Sequence, residues 1–365
     1  MSLRYLNINF FRNYDHAEIE LPERGALFVG ANGAGKTNLL EAIHYLYTGR
    51  SQRGASKRDV IQRGRPVSSL FGKLRSFEGS QENEISYKLY RSSPTVVELN
   101  GKRLSSLSEW FGQGMVVSFG PEDIALVTGG PVERRRYMDV LLSQRDASYL
   151  SALISYRRSL AQRNSLLQAG RSGDELSVYE ERMAQDGALI FQFRSESFER
   201  ISSIFKKFYA EISATNDRAE IEYKPSISFR GSAPRCWKNV FYNTLKEQRK
   251  RDFSLGFSSV GPHRDDLRCM VGGLPAKTHA SQGQSRSVAL ALRLSAMESL
   301  RNAKGRKLTL LVDDAFAGLD AARRERVYPL VKTQGQLFVT SHSVDIPQLG
   351  DISRFSVEHG ILSPL

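Results

Sequence analysis

The run Gly30-Ala-Asn-Gly-Ala-Gly-Lys-Thr37 sets glycines, a lysine and a hydroxyl at the spacing that cradles the phosphates of a nucleotide. It fits the pattern G-x-x-x-x-G-K-[ST] at every specified position. Gly30, Gly33 and Gly35, with Ala31, Asn32 and Ala34 between them, let backbone N–H groups curl around phosphate oxygens. Lys36 supplies a point charge for the outer phosphates, and the Thr37 hydroxyl is placed to ligate Mg2+. A loop of this kind needs a strand before it and a helix after it. Residues 25–29 read as a short buried strand, and Leu39, Leu40, Ile43, Leu46 and Tyr47 recur at helical spacing.

Such a loop also requires an acidic partner. Asp313 and Asp314 end the apolar run 308–312, which reads as a central parallel strand, as does 336–339. Carboxylates at that end of a parallel sheet face the crevice where ligands bind. Asp313 is placed to hold Mg2+, and Asp314 to orient or deprotonate an attacking water. Ser281-Gln282-Gly283-Gln284 opens a helix predicted to run to about residue 301. Two readings stand for it: an anion grip made of hydroxyl, free N–H groups and helix dipole, or a simple N-cap at Ser281.

The chain has 365 residues, 40% hydrophobic and 25% charged, which describes an ordinary soluble globular protein with two lobes. No apolar stretch reaches the ~20 residues that span a bilayer, and the N-terminus lacks a signal-peptide core, so no membrane association is expected. Cys236 and Cys269 lack C-x-x-C spacing, which argues against structural zinc or a disulfide framework and fits a reducing cytoplasm. A net charge of +13 favours a polyanionic partner, nucleic acid before membrane.

Alternating segments near 4–10, 70–74, 85–89 and 96–99 imply antiparallel strands beside a parallel core, the last closed by the hairpin turn Asn100-Gly101. Apolar residues spaced through 149–167 and 176–208, broken at Gly170–Gly173, predict a helical hairpin with an imperfect coiled-coil-like seam at Arg157 and Asn164. Its longer arm would span roughly 50 Å, a lobe rather than a long arm. The nucleotide fold is therefore predicted as split, with 1–118 and 256–365 as the ATPase domain and 119–255 as an inserted helical lobe.

Order and spacing of the loop, the Ser281 motif and the acidic strand resemble the ATP-binding-cassette ATPases. That resemblance implies an ATP-driven dimer in which Ser281, Gln282, Gly283 and Gln284 complete the site of a second subunit. It implies that Ala317-Gly-Leu-Asp320 crosses the dimer interface, and that His342 is the switch histidine near the γ-phosphate. Otherwise His342 is a polar residue after a strand. A closer likeness runs through Phe11-Arg-Asn-Tyr14, the phosphate loop with Asn38-Leu-Leu-Glu-Ala-Ile43, Thr48-Gly-Arg-Ser51, Phe119-Gly-Pro-Glu-Asp123 with Arg134-Arg-Arg136, Gly261-Pro-His-Arg-Asp-Asp-Leu267 and Ala280-Ser-Gln-Gly-Gln284. In this order they resemble RecF over essentially the whole chain.

The RecF resemblance implies an α/β ABC-type head with a short helical hairpin and an ATPase of weak, DNA-dependent turnover. It also implies nucleotide contacts from Arg12, Asn13 and Asn38. RecF proteins are cytoplasmic, dimerise on ATP, bind double-stranded and gapped DNA, and work with RecO and RecR to load RecA. Three departures stand out. A glutamine loop has no clear counterpart, since Gly120, Pro121 and Glu122 fill its place; the water-activating acid is an aspartate; and Ala317-Gly318 is smaller than RecF proteins commonly carry there.

Two basic groups are candidates for DNA phosphates: Arg50, Arg53, Lys57, Arg58, Arg63 and Arg65, and the triplet Arg134, Arg135 and Arg136. The triplet follows a helix start at Gly129-Gly-Pro131, where cations oppose the helix dipole. Either an external anion or Glu133 and Asp139 would offset that cost. Lys246, Arg249, Lys250 and Arg251 read as a solvated helix end. A transporter engine lacks its glutamine loop here. A nuclease would need His263, Asp265 and Asp266 to converge on one ion, which consecutive residues do not readily do.

Overall fold

The computed structural model describes the chain apart from residues 78, 80, 172, 214–216, 230, 306, 315–320, 333–334, 345, 347–348 and 351. Two compact units emerge, 1–124 with 211–216 and 289–365, and 125–210 with 217–288. The sequence set the return to the ATPase domain at 256; the structure groups 256–288 with the second unit. The physical reason is pairing: Asp266–Val271 runs antiparallel to Ala219–Lys224 from Asp266↔Lys224 to Val271↔Ala219.

In the first unit, two six-stranded sheets form among the described residues. One has the order Tyr14–Glu20, Ser2–Phe11, Val67–Arg75, Glu82–Tyr90, Val96–Leu99, Lys102–Arg103, every neighbour antiparallel. Its strands alternate buried and exposed residues, as a sheet with one wet face should. Asn100 (φ 51°) and Gly101 (φ 75°) make the two-residue turn that sets Leu99 opposite Lys102. The other sheet has the order Ile361–Pro364, Ser353–Glu358, Gly25–Val29, Gly335–Ser341, Leu308–Asp313, Val116–Phe119, parallel except for its first pair. Gly25–Val29 and Leu308–Asp313 are buried at every residue, the pattern of strands covered on both faces.

The helix Lys36–Thr48 packs on strands of both sheets, and Leu39, Leu40, Ala42, Ile43 and Leu46 are fully buried. Burial of that apolar set, worth about 1.5–3 kcal/mol for each large side chain, fixes the helix end that carries Lys36 and Thr37.

The second unit holds the hairpin of Ala147–Gln168 and Asp174–Ile212 up to residue 210, the longer helix being about 58 Å at 1.5 Å per residue. Its polar seam residues are satisfied. Arg157 donates to Asp139 Oδ2 at 2.7 Å, and Asn164 Oδ1 accepts from Ser258 N–H and Oγ–H, both at 2.8 Å. The seam's larger surprise is a pair of buried cations. Arg163 (0% exposed) binds Glu180 and Asp252, and Arg194 (1%) binds Asp139 and Asp265.

Candidate nucleotide site

Parallel register brings the site together within the first unit. Asp313 lies beside Thr340 across one strand pair, and Val29 beside Ser341 across the next. The loop therefore leaves the sheet close to the acidic strand end, and Gly30 N–H bonds Ser341 O at 3.3 Å. Gly35, at φ 118°, caps the helix in a conformation that favours glycine, and a Cβ there would lie 2.7 Å from Asn13 Nδ2.

Three groups hold the loop from outside. Tyr14 OH donates to Gly35 O (3.0 Å), Asn13 Nδ2 to Ala34 O (3.2 Å), and Gly360 N–H to Ala34 O (3.1 Å). Asn38 Nδ2 closes the set by donating to Asn13 Oδ1 at 2.7 Å. Asn13 and Asn38 thus border the loop.

Arg12 does not join it. Its Nε–H and Nη2–H form a bidentate pair with Glu41 at 2.8 and 2.9 Å, and its Nη1–H bonds Asp59 O at 2.9 Å. Glu41 is fully buried on the loop helix and needs that cation, with Ser51 Oγ–H as a further donor. Arg12 anchors the helix Lys36–Thr48 through this pair.

Lys36, 4% exposed, donates to Gly30 O (2.7 Å) and Ala31 O (3.1 Å), which folds its ammonium over the loop. Thr37 Oγ1–H meets Asp313 Oδ1 at 2.9 Å, and Thr340 Oγ1–H meets the same oxygen at 2.7 Å. Thr340 also accepts from Asp314 N–H at 3.1 Å, so one buried hydroxyl sets both aspartates. Sequence reasoning passed over Thr340; its place opposite Asp313 in a parallel pair is the signal that finds it. Asp314 takes a left-handed φ of 43°. Burial, followed by the Asp313 charge, raises its pKa, while Lys36 and His342 oppose the shift. His342 Nε2 lies 3.6 Å from Asp314 Oδ2. The donor set of a hydroxyl and a carboxylate fits a hard cation such as Mg2+.

Ser281 lies in the second unit and is a true N-cap. Its Oγ accepts from Gln284 N–H (3.2 Å), while Gln284 Oε1 accepts from Ser281 N–H (2.8 Å) and Gln284 Nε2–H donates to Asp217 (2.7 Å). Ser281 and Gln282 remain exposed, and Gly283 is half-buried. Asp320, with Ala317 and Gly318, lies outside the described residues.

The arginine triplet is corrected. Arg134 is 7% exposed and forks onto Asp266 at 2.7 and 3.0 Å, and Arg135 donates to Asp265 O at 2.9 Å. Neither Glu133 nor Asp139 is the partner of Arg134; the offset to the dipole comes from a strand 132 residues away. Arg136 is half-buried. Arg53 pairs with Glu122 at 3.1 Å. Lys57 Nζ–H donates to Ser93 O and Arg58 Nε–H to Arg91 O. Arg91 binds the carbonyls of Arg65, Arg58, Ile61 and Gln62 at 2.7–3.3 Å, wrapping the basic segment around itself. Arg58, Arg63 and Arg65 stay exposed, Arg65 stacked 4.2 Å over the Phe10 ring.

His263, Asp265 and Asp266 turn to separate partners. His263 Nδ1 meets Tyr156 OH at 2.7 Å, and burial lowers its pKa to about 4. Asp265 serves Arg194 and Asp266 serves Arg134.

Residues 2–353 match the family described as RecF/RecN/SMC N terminal domain. The DNA replication and repair protein RecF of Caldanaerobacter subterraneus subsp. tengcongensis is 34% identical over 94% of this chain and 94% of its own. RecF of Bacteroides fragilis is 33% identical over 100% and 99%. Among solved structures, the recombination mediator protein RecF with ATP, in the RecFOR pathway, superposes with a TM-score of 0.90 at 33% identity, over 100% of this chain and 97% of that one. The Smc head domain with an extended coiled coil from Pyrococcus furiosus, at 17% identity and TM-score 0.55 over 100% and 96%, shares the fold. The fold is thus the mixed α/β ABC-type ATPase head that the sequence predicted. No described helix is long and apolar enough to cross a membrane. The chain belongs to the RecF/RecN/SMC N-terminal domain family, and within it to the RecF proteins of DNA replication and repair.

Proposed function

We propose that this chain is an ATP-gated DNA-binding protein of recombinational repair. It dimerises on ATP, grips double-stranded or gapped DNA, and with RecO and RecR promotes RecA loading; slow, DNA-dependent hydrolysis releases it. The observation that carries the reading is Thr37 bonded to Asp313 beside a loop whose Lys36 is folded over it. Residues 30–37 cradle the phosphates, with Thr37 and Asp313 holding Mg2+, which screens phosphate charge and orients the γ-phosphoryl group. Asp314 accepts the proton of the attacking water, and His342, beside it, meets the γ-phosphate. Ser281, Gln282, Gly283 and Gln284 serve the neighbour's nucleotide, and Asp320 crosses between protomers.

A composite site has a direct test. Ser281→Arg is expected to leave ATP affinity within about twofold, under ~0.5 kcal/mol, while abolishing the ATP-dependent dimer on gel filtration. A dimer that persists removes the shared-site model.

For DNA, Arg58, Arg63 and Arg65 are exposed cations of the wrapped segment; Arg53, also exposed, is paired with Glu122, Lys57 is half-buried, and Arg134 is buried. Replacing all three with alanine should weaken duplex binding at every sequence and flatten the log K against log salt slope by about 2 to 3. An unchanged slope, measured by fluorescence anisotropy in ATP, would move the DNA elsewhere.

A further inference from the structure

The Arg91 guanidinium is turned onto backbone. Arg91 follows the strand Glu82–Tyr90, and its own N–H bonds Pro66 O at 3.1 Å. The side chain then reaches back across the segment 56–66. Its Nε–H bonds Arg65 O at 2.7 Å and its Nη1–H bonds Arg58 O at 3.3 Å. Its Nη2–H groups bond Ile61 O at 3.2 Å and Gln62 O at 2.9 Å. Arg58 Nε–H returns a bond to Arg91 O at 3.4 Å. A charged fork on backbone carbonyls makes charge-assisted hydrogen bonds, stronger than those of a neutral donor.

The same segment is pinned to the end of the strand Ser2–Phe11. Gln62 N–H bonds Phe10 O at 2.9 Å, and Arg12 N–H bonds Val60 O at 2.8 Å. Arg65 lies 4.2 Å over the Phe10 ring. Phe10 and Arg12 take left-handed φ values of 53° and 56° at that junction. At the front of the segment, Ser56 and Asp59 close a capping box. Arg58, Arg63 and Arg65 nevertheless stay exposed, while Arg91 is half-buried. The backbone that carries Arg58 and Arg65 is thus held within hydrogen-bond distance of one buried-side guanidinium, and the cations it presents face outward.

We infer that Arg91 is a positioning residue for DNA binding: it fixes the segment 56–66 so that Arg58, Arg63 and Arg65 meet duplex phosphates already ordered, and it touches no phosphate itself. This rests on the DNA reading of those three arginines given above. A segment fixed in advance has already lost its conformational freedom, so association need not supply that ordering. Lysine cannot replace Arg91, because a compact ammonium lacks the planar fork that spans several carbonyls.

A double-mutant cycle separates positioning from contact. Duplex binding is measured by fluorescence anisotropy in ATP across a salt series. The proteins are the parent, Arg91→Gln, the triple alanine variant at 58, 63 and 65, and all four changes together. Arg91→Gln is expected to raise Kd about tenfold, equivalent to ~1.4 kcal/mol. It should leave the log K against log salt slope unchanged, since the same phosphates are neutralised. On the triple alanine background the same change should cost less than about twofold, because no cations remain to be placed. Arg91→Lys, which keeps charge and stem, should lose about as much as Arg91→Gln. Without DNA, trypsin should cut after residues 58, 63 or 65 faster in Arg91→Gln than in the parent, while ATP affinity stays within about twofold.

A tenfold loss in both backgrounds, or a slope flattened by about 1, makes Arg91 a phosphate contact or a support of the whole fold and overturns the positioning role. So does an Arg91→Gln or Arg91→Lys protein that binds DNA as the parent does, or an unchanged rate of cleavage. A triple alanine variant that keeps the parent's slope would instead remove the DNA reading of the segment, and Arg91 with it.

Discussion

Lys36→Met should cut ATP affinity about 100-fold, close to 2.7 kcal/mol, and with it abolish the ATP-dependent dimer and the retention of DNA. The substitution keeps the length and apolar stem of the side chain, so the packing of the helix Lys36–Thr48 is preserved. What disappears is an ammonium that is 4% exposed and bonded to two loop carbonyls. At that burial the charge is poorly screened, and its attraction to a polyphosphate exceeds that of a surface lysine. It also lowers the pKa of Asp314, so its loss leaves that carboxyl more readily protonated. Calorimetric titration with ATP and Mg2+, followed by gel filtration with duplex DNA, reads both effects. A thermal midpoint close to the parent's separates loss of a ligand group from loss of the fold. A Lys36→Met protein that still dimerises on ATP would sink the ATP-gated reading.

What could be read from the chain divides by distance along it. The phosphate loop was legible because strand, turn glycines and apolar helix spacing lie within twenty or so consecutive residues. The Asn100-Gly101 turn was legible for the same reason. Asp313 was legible because a carboxylate at the end of an all-apolar strand is a local pattern, although its lock, Thr340, comes from a neighbouring strand. Arg12 shows the opposite: nothing local reveals that Glu41, 29 residues on, holds it in a bidentate pair. Arg134 was misread across 132 residues, because nothing local reveals that Asp266 lies opposite it. The same blindness moved the second domain boundary, since the strand Asp266–Val271 belongs to whichever unit pairs with it. Charge on a sequence states a need for a partner and leaves the partner's address to the fold.

That point is sharpest at Arg194, where the expected cost of substitution is greatest for stability. Arg194→Leu should destabilise the second unit by about 3–5 kcal/mol, a large part of the 5–15 kcal/mol typical of a folded domain. The guanidinium, 1% exposed, donates to Asp139 Oδ1 (2.7 Å), Asp265 Oδ2 (2.6 Å), Pro262 O (2.7 Å) and Tyr149 OH (3.1 Å). Without it Asp265, itself 0% exposed, keeps only neutral donors, Tyr223 OH and Ser226 N–H. Burial already raises the Asp265 pKa, with Arg194 the first group opposing that rise. The stranded carboxylate must either take up a proton or draw in water, and each route disrupts the Gly261–Asp265 turn. Asp139 fares better, because Arg157 and Tyr149 still reach it. Adding Asp265→Asn to Arg194→Leu removes the stranded charge and should recover more than half of the loss, whereas Asp139→Asn should recover little. Urea unfolding of the three proteins measures both terms. If the single variant loses under about 1 kcal/mol, the range of an exposed pair, the buried network is not what holds this unit together, and the His263-Arg264-Asp265-Asp266 run must be given another purpose.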